Sequence, residues 1–173
     1  MKRPKLRSIR GNQKGFTLIE MIAALAVTSL IGAAVAMASV QMINQGAHNS
    51  DYTTASRNTM NAIHWIGRDA QMAQSIEPNG TSGFAPLILR WVEWDNSSHQ
   101  VTYSIEDGQL RRSYSGNSFS ETVVAEYINS VAENTTCELA SGVLNLTVTT
   151  TVGNGLNATS VTKIREITPR PGL

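Results

Sequence analysis

Phe16 to Val40 is an apolar run of 25 residues in which Glu20 is the only charge. As a helix rising ~1.5 Å per residue it would reach roughly 37 Å, enough to cross a hydrocarbon core ~30 Å thick. Such a run must sit in lipid or be surrounded by other helices. The residues before it are basic: Lys2, Arg3, Lys5, Arg7, Arg10 and Lys14 fall in the first fifteen positions, and no acid precedes Glu20. Residues 16–173 hold the other eight bases against thirteen acids, a net of −5. The chain is a basic tag joined to a mildly acidic body, and a basic flank of this kind stays on the cytoplasmic side of a membrane.

Three readings of the run compete. A signal anchor accounts for its length and flanks. An ordinary cleaved signal peptide is the second, because Ala36-Met37-Ala38 offers a cut before Ser39. Neither needs a carboxylate, and an acid inside an apolar run is costly enough to point to a function. The run also exceeds the 7–15 residues of a usual signal-peptide core. The third reading rests on Lys14-Gly15-Phe16-Thr17-Leu18-Ile19-Glu20. A basic leader ending in glycine, then phenylalanine, with glutamate four residues on, resembles the processing site of type IV prepilins and of type II secretion pseudopilins.

The resemblance implies cleavage by prepilin peptidase between Gly15 and Phe16, followed by N-methylation of the new Phe16 amine. Glu20 becomes the fifth residue of the mature chain. In a filament its carboxylate can pair with the Phe16 amine of a neighbour, and such a pair counts most where water is excluded. Glu20 is then an assembly and register residue, satisfied at one stagger between helices. The implied partners are other pilins or pseudopilins, an inner-membrane assembly platform, and the bilayer itself through residues 16–40. The implied location is the bacterial inner membrane, N-terminus inside and head outside, and afterwards a periplasmic or cell-surface filament. Small residues such as Ala23, Ala24, Gly32, Ala33 and Ala34 would let helices approach closely. Many relatives carry proline where this chain has Met37, so the kink that proline gives them is not expected on that ground here.

Beyond Val40 the chain turns polar, but nothing breaks a helix firmly before Pro78-Asn79-Gly80. Tyr52, Ala55, Thr59, Ile63, Ile66, Ala70 and Ala73 recur at spacings of three and four, predicting an amphipathic helix to about Ile76. Trp65 and Met72 are expected to widen its buried face, while Arg57, Asn61, Arg68 and Gln71 lie opposite. Gly46 and Asn49-Ser50-Asp51 mark a possible bend or recapping point. After Gly83 the period changes to two. Strands are expected over 87–95, 100–105, 109–114, 143–152 and 158–167, with hairpin chemistry at Asp95-Asn96-Ser97-Ser98 and Glu106-Asp107-Gly108. Residues 120–131 fit either a short helix or an irregular strand, and Cys137-Glu138-Leu139 an edge. The fold class is α+β and pilin-like: a long helix packed on an antiparallel head. The expected division is a basic leader over 1–15, a transmembrane or filament-core helix over 16–40, its amphipathic continuation over 41–77 and a strand-rich head over 84–173. The hairpins and the last strand with Arg165 near its end resemble W-type minor pilins and J-type minor pseudopilins.

Other chemistry finds little support. No phosphate loop, H-E-x-x-H, C-x-x-C or G-x-S-x-G is present, so no catalytic residue, cofactor or metal is assigned. Cys137 is the single cysteine, which excludes an internal disulfide and reads as a small buried residue. His48 and His64 read as surface or rim. Glu93, Asp95, Glu106 and Asp107 lack the spacing of a calcium loop. Arg111-Arg112 with Tyr103 and Tyr114 could form a nucleic-acid patch, but the acidic body argues against phosphate binding. The expected function is a structural, non-enzymatic minor subunit of a type IV pilus or a type II secretion pseudopilus. The alternative is a secreted or membrane-anchored binding module with an ordinary signal sequence.

Overall fold

A computed structural model describes residues 15–78, 84, 86–116, 118–131, 133–155 and 158–170. The basic residues before Gly15 and the Asn79-Gly80 break lie outside them. The contacts divide the chain into two units, Met1–Gln45 and Gly46–Leu173. Helix α1, Leu18–Met72, contributes to both.

In the first unit every helical side chain is exposed. An 18-residue window there has a mean hydropathy of 2.2 with none of it buried, which makes this helix long and apolar enough to cross a membrane. Its few hydroxyls turn inward on the helix. Thr28 donates to the carbonyl oxygens of Ala24 and Leu25, Ser29 to Ala26 and Ser39 to Val35. Each of these three hydroxyls is thus satisfied within its own segment, as a non-aqueous environment requires. Helical structure continues through Met37, and also through Gly46 and Asn49-Ser50-Asp51, so no recapping occurs there.

Among the described residues the second unit is built on the remainder of α1 and eight strands. Strands β1 (Ser75–Pro78), β2 (Leu87–Val92), β3 (Ser98–Glu106), β4 (Gln109–Ser115) and β5 (Phe119–Ala125) form one antiparallel sheet in sequential order. Strands β6 (Thr136–Ala140), β7 (Val143–Val152) and β8 (Thr159–Ile167) form a second. The arrangement is α+β and pilin-like, with the head divided between two sheets.

One core joins these layers. Ala62, Ile63, Ile66 and Ala70 from α1, with Ala73 just after it, meet Leu87, Leu89, Val101 and Leu110 from the first sheet and Leu144, Leu146, Val148 and Ile167 from the second. The period-two pattern read in β2 and β7 places those leucines inward. A smaller cluster of Ala55, Val152 and Val161 lies beside a buried hydroxyl pair. There Thr59 Oγ1 stands 2.7 Å from Thr150 Oγ1, and Thr150 donates to the Ala55 carbonyl at 2.8 Å. The helix stripe differs from expectation at its ends. Tyr52 and Met72 are exposed, Trp65 is half-buried against the core, and Asp69 joins the buried face.

The helix ends at Met72 rather than near Ile76. Ser75–Pro78 instead pairs with β2, setting Ile76 opposite Leu89 and Pro78 opposite Leu87. Ile76 is buried in the strand. Pro78 disfavours helix at Glu77 before it, and a proline is tolerated on an edge strand such as β1. Residues 120–131 resolve as the second half of β5 followed by a turn and a single bridge, Ile128 to Thr150. At Glu106-Asp107-Gly108 the two loop residues have φ of 51° and 72°. Both are left-handed, as a two-residue hairpin of right-twisted strands demands.

Candidate functional site

The sequence directs attention to Gly15, Phe16 and Glu20, which flank the start of α1. Thr17 is the residue before the helix, and Glu20 occupies its third position. The Glu20 backbone N–H donates to Thr17 Oγ1 at 3.3 Å, and the Thr17 backbone N–H donates to Glu20 Oε2, also at 3.3 Å. Thr17 Oγ1 lies 3.2 Å from the same carboxylate oxygen. This reciprocal pair is a capping box, which satisfies two backbone donors that a helix start leaves unpaired. The negative charge also faces the positive end of the helix dipole. Phe16 and Met21, the positions of a hydrophobic staple around such a box, line one notch of about 340 Å³ together with Glu20, Ala24, Leu25 and Thr28. The signal for all this was present as Thr-x-x-Glu before an apolar run, and sequence reasoning had passed over it.

The capping box engages one oxygen of Glu20. Among the described residues Oε1 makes no hydrogen bond, and an ionised carboxylate has room for several. Gly15 has nothing within 4 Å of where a side chain would begin. Among the described residues Gly15 and Phe16 are both exposed, beside a cap that fixes where the helix begins. The Ala36-Met37-Ala38 alternative lies within continuous helix.

In the second unit the other candidates are used internally. Arg112 Nε donates to Asp69 Oδ2 at 2.7 Å, and the buried Tyr103 hydroxyl donates to the same oxygen at 2.5 Å. Burial, and then the Asp69 charge and hydrogen bond, push the Tyr103 phenol far above its usual range. Arg112 also lies over the Trp65 ring, 5.3 Å from its centroid. Arg111 faces Glu121 at 3.2 Å and Glu106 at 3.7 Å. Tyr103 and both arginines are thus committed to protein partners, and the sequence-level nucleic-acid patch is not assembled. Glu93 and Asp95 lie at one end of β3 and Glu106 and Asp107 at the other, about 25 Å apart along an extended strand of this length. Among the described residues no group of three metal-ligating side chains comes together.

His48 is exposed and meets Thr159 Oγ1 at 3.0 Å, and His64 is exposed. His99, which sequence reasoning did not single out, is buried. It stacks on Trp91 at 5.5 Å between ring centroids and bonds the Tyr114 hydroxyl through Nδ1 at 2.6 Å. Cys137 is buried, and burial, with a smaller contribution from Glu138, pushes its thiol up to about 12.

Residues 10–36 match the family described as the prokaryotic N-terminal methylation motif. The match covers Gly15, Phe16 and Glu20 and ends within the apolar helix. It supports a type IV pilin-like or pseudopilin-like subunit, a structural rather than an enzymatic class. No curated protein and no solved structure matches the chain.

Proposed function

We propose that this chain is a minor pilin or pseudopilin, a structural subunit of a type IV pilus or a type II secretion pseudopilus. The observation that carries the reading is the methylation-motif match over residues 10–36, which includes Gly15, Phe16 and Glu20. Prepilin peptidase hydrolyses the Gly15–Phe16 amide, leaving a carboxylate on Gly15 and a new α-amine on Phe16, which is then N-methylated. The mature chain starts one residue before the Thr17 cap, so the cap and the new amine lie side by side at the tip of α1. Residues 16–40 hold the subunit in the inner membrane, with the head outside, until it passes through the assembly platform into a filament.

Glu20 has two tasks in this proposal. Through Oε2 it closes the cap of its own helix, and through Oε1 it accepts the Phe16 ammonium of a neighbouring subunit. In an apolar bundle that pairing neutralises two charges at once, and leaving either alone is costly. The two tasks can be separated, because glutamine closes a capping box as glutamate does but carries no charge.

The deciding experiment is the mass of the mature N-terminus from cells with active prepilin peptidase. Methylated Phe16 is expected. An N-terminus at Ser39 would instead identify a secreted module, and an uncleaved chain would refute the proposal. Gly15→Ala is expected to leave precursor in the membrane, visible by immunoblot. Glu20→Gln and Glu20→Ala are both expected to be processed yet to be missing from sheared filaments. Incorporation of Glu20→Gln alone would reassign Glu20 to capping and remove the charge-pairing role.

A further inference from the structure

Beyond that subunit role, and independent of it, the head carries a cleft outside the residues assigned to processing and assembly. The cleft lies at the C-terminal end of α1, has a volume of about 530 Å³, and its lining includes Gln71, Met72, Trp91, Glu93, Trp94 and Arg170. Pockets of this size admit small ligands. We propose that it is a binding site for a neutral saccharide, with Trp94 as the platform for a sugar ring.

Two indoles set the geometry. Trp94 is 94 % exposed, although it sits on a well-defined turn. Glu93 N–H donates to Ser97 O at 3.0 Å and Asn96 N–H to Glu93 O at 3.1 Å. Ser97 gives both its backbone N–H and its hydroxyl to Asp95 Oδ1, at 2.9 and 2.6 Å. Those two bonds hold the Asp95 carboxyl below its usual range. The turn therefore presents a large apolar ring to solvent on a fixed backbone. Trp91 forms the inner wall and is itself fixed: it stacks on His99, which bonds Tyr114 through one ring nitrogen and Ser97 Oγ at 2.9 Å through the other.

The polar lining decides the class of ligand. Gln74 is occupied, its amide accepting from Val92 N–H at 3.0 Å and donating to Val92 O at 3.5 Å. Gln71 makes no such bond among the described residues, Arg170 is exposed, and Glu93 is exposed with Oε1 3.6 Å from His99 Nε2. Amide, carboxylate and guanidinium are planar groups that can bond two adjacent donors or acceptors at once. Their charges cancel, which favours a neutral ligand. An apolar peptide would leave these groups unsatisfied, and a cation would meet Arg170. A pyranose fits both halves of the site, with a C–H face for the indole and an edge of vicinal hydroxyls for the planar groups.

The test uses the full chain in a polyoxyethylene detergent, which has no sugar headgroup to compete. Cellobiose, maltose and N,N′-diacetylchitobiose are titrated separately, with tryptophan fluorescence and saturation-transfer NMR as readouts. At least one disaccharide is expected to bind saturably in the millimolar range. Trp94→Ala, at an exposed position that leaves the circular dichroism unchanged, is expected to weaken that binding about tenfold, the equivalent of one aromatic contact. Gln71→Ala should weaken it several-fold, and mannitol, with hydroxyls but no ring face, should not bind. The proposal fails if no disaccharide saturates, if Trp94→Ala binds as well as the parent, or if mannitol binds equally.

Discussion

Asp69 shows how one buried acid fixes an arrangement that hydrophobic contacts alone would leave loose. It is nearly inaccessible, and its Oδ2 accepts from both Tyr103 and Arg112. Two strands, β3 and β4, are thereby tied to one point on α1. Asp69→Ala leaves a buried phenol and a mostly buried guanidinium without their partner, which is expected to cost about 3 kcal/mol in urea unfolding. Adding Arg112→Met should recover part of that loss, because the uncompensated charge goes with it. Tyr103 and Cys137 are acids whose folded pKa values are raised, Cys137 to about 12. The folded state keeps those protons when the unfolded chain releases them. Their stabilisation is complete below unfolded values of about 10 for Tyr103 and about 9 for Cys137, and it is lost as pH climbs above them. The urea midpoint should accordingly fall through the alkaline range, less steeply in Cys137→Ala. At neutral pH the Cys137 thiol should react with a disulfide reagent much more slowly in the folded than in the urea-unfolded protein.

At the scale of elements, turns and helix ends were the most informative. The β3–β4 hairpin is closed by Asp107 and Gly108, both at positive φ. An added Cβ at Gly108 would find 3.6 Å of room to the Ile128 carbonyl, so the obstacle there is conformational. Gly108→Val is expected to cost about 1–2 kcal/mol in thermal or urea unfolding, the penalty for a side chain in the left-handed region. Along α1 the buried face tolerates no comparable loss of volume. Ile66 has no solvent exposure, and Ile66→Ala should destabilise by about 2–5 kcal/mol. An exposed change one helical face away, such as Arg57→Ala, should stay within about 0.5 kcal/mol.

At the scale of the whole molecule, two units meet different demands. The unit to Gln45 exposes its apolar side chains, whereas the unit from Gly46 contains both hydrophobic clusters. A chain beginning at Gly46 is therefore expected to be soluble without detergent and to keep the strand signal in circular dichroism. The full chain should fractionate with membranes. Recovery of the shortened chain only as aggregate would show that the second unit depends on the first.

The long helix, the hairpins and the motif that carries the proposed site at Gly15, Phe16 and Glu20 could all be read in the sequence, because each is written in neighbours a few residues apart. Apolar length, period-two alternation and Asp107-Gly108 chemistry are local properties. Even the capping box that the reading passed over was written in four consecutive residues, Thr17 to Glu20. Other features depended on segments distant in the chain. The end of α1 at Met72 follows from Ser75–Pro78 finding β2 as a partner, a gain that helix periodicity does not register. The burial of Asp69 follows from Tyr103 and Arg112 arriving across 34 and 43 residues of chain. The cleft gathers the end of a helix, a turn between strands and Arg170 near the C-terminus. Sequence by itself determined where this chain is apolar, where it turns and where the proposed processing motif lies. Tertiary structure alone decided which polar groups are buried and which surfaces face one another, because only folding sets the distances that make those interactions strong.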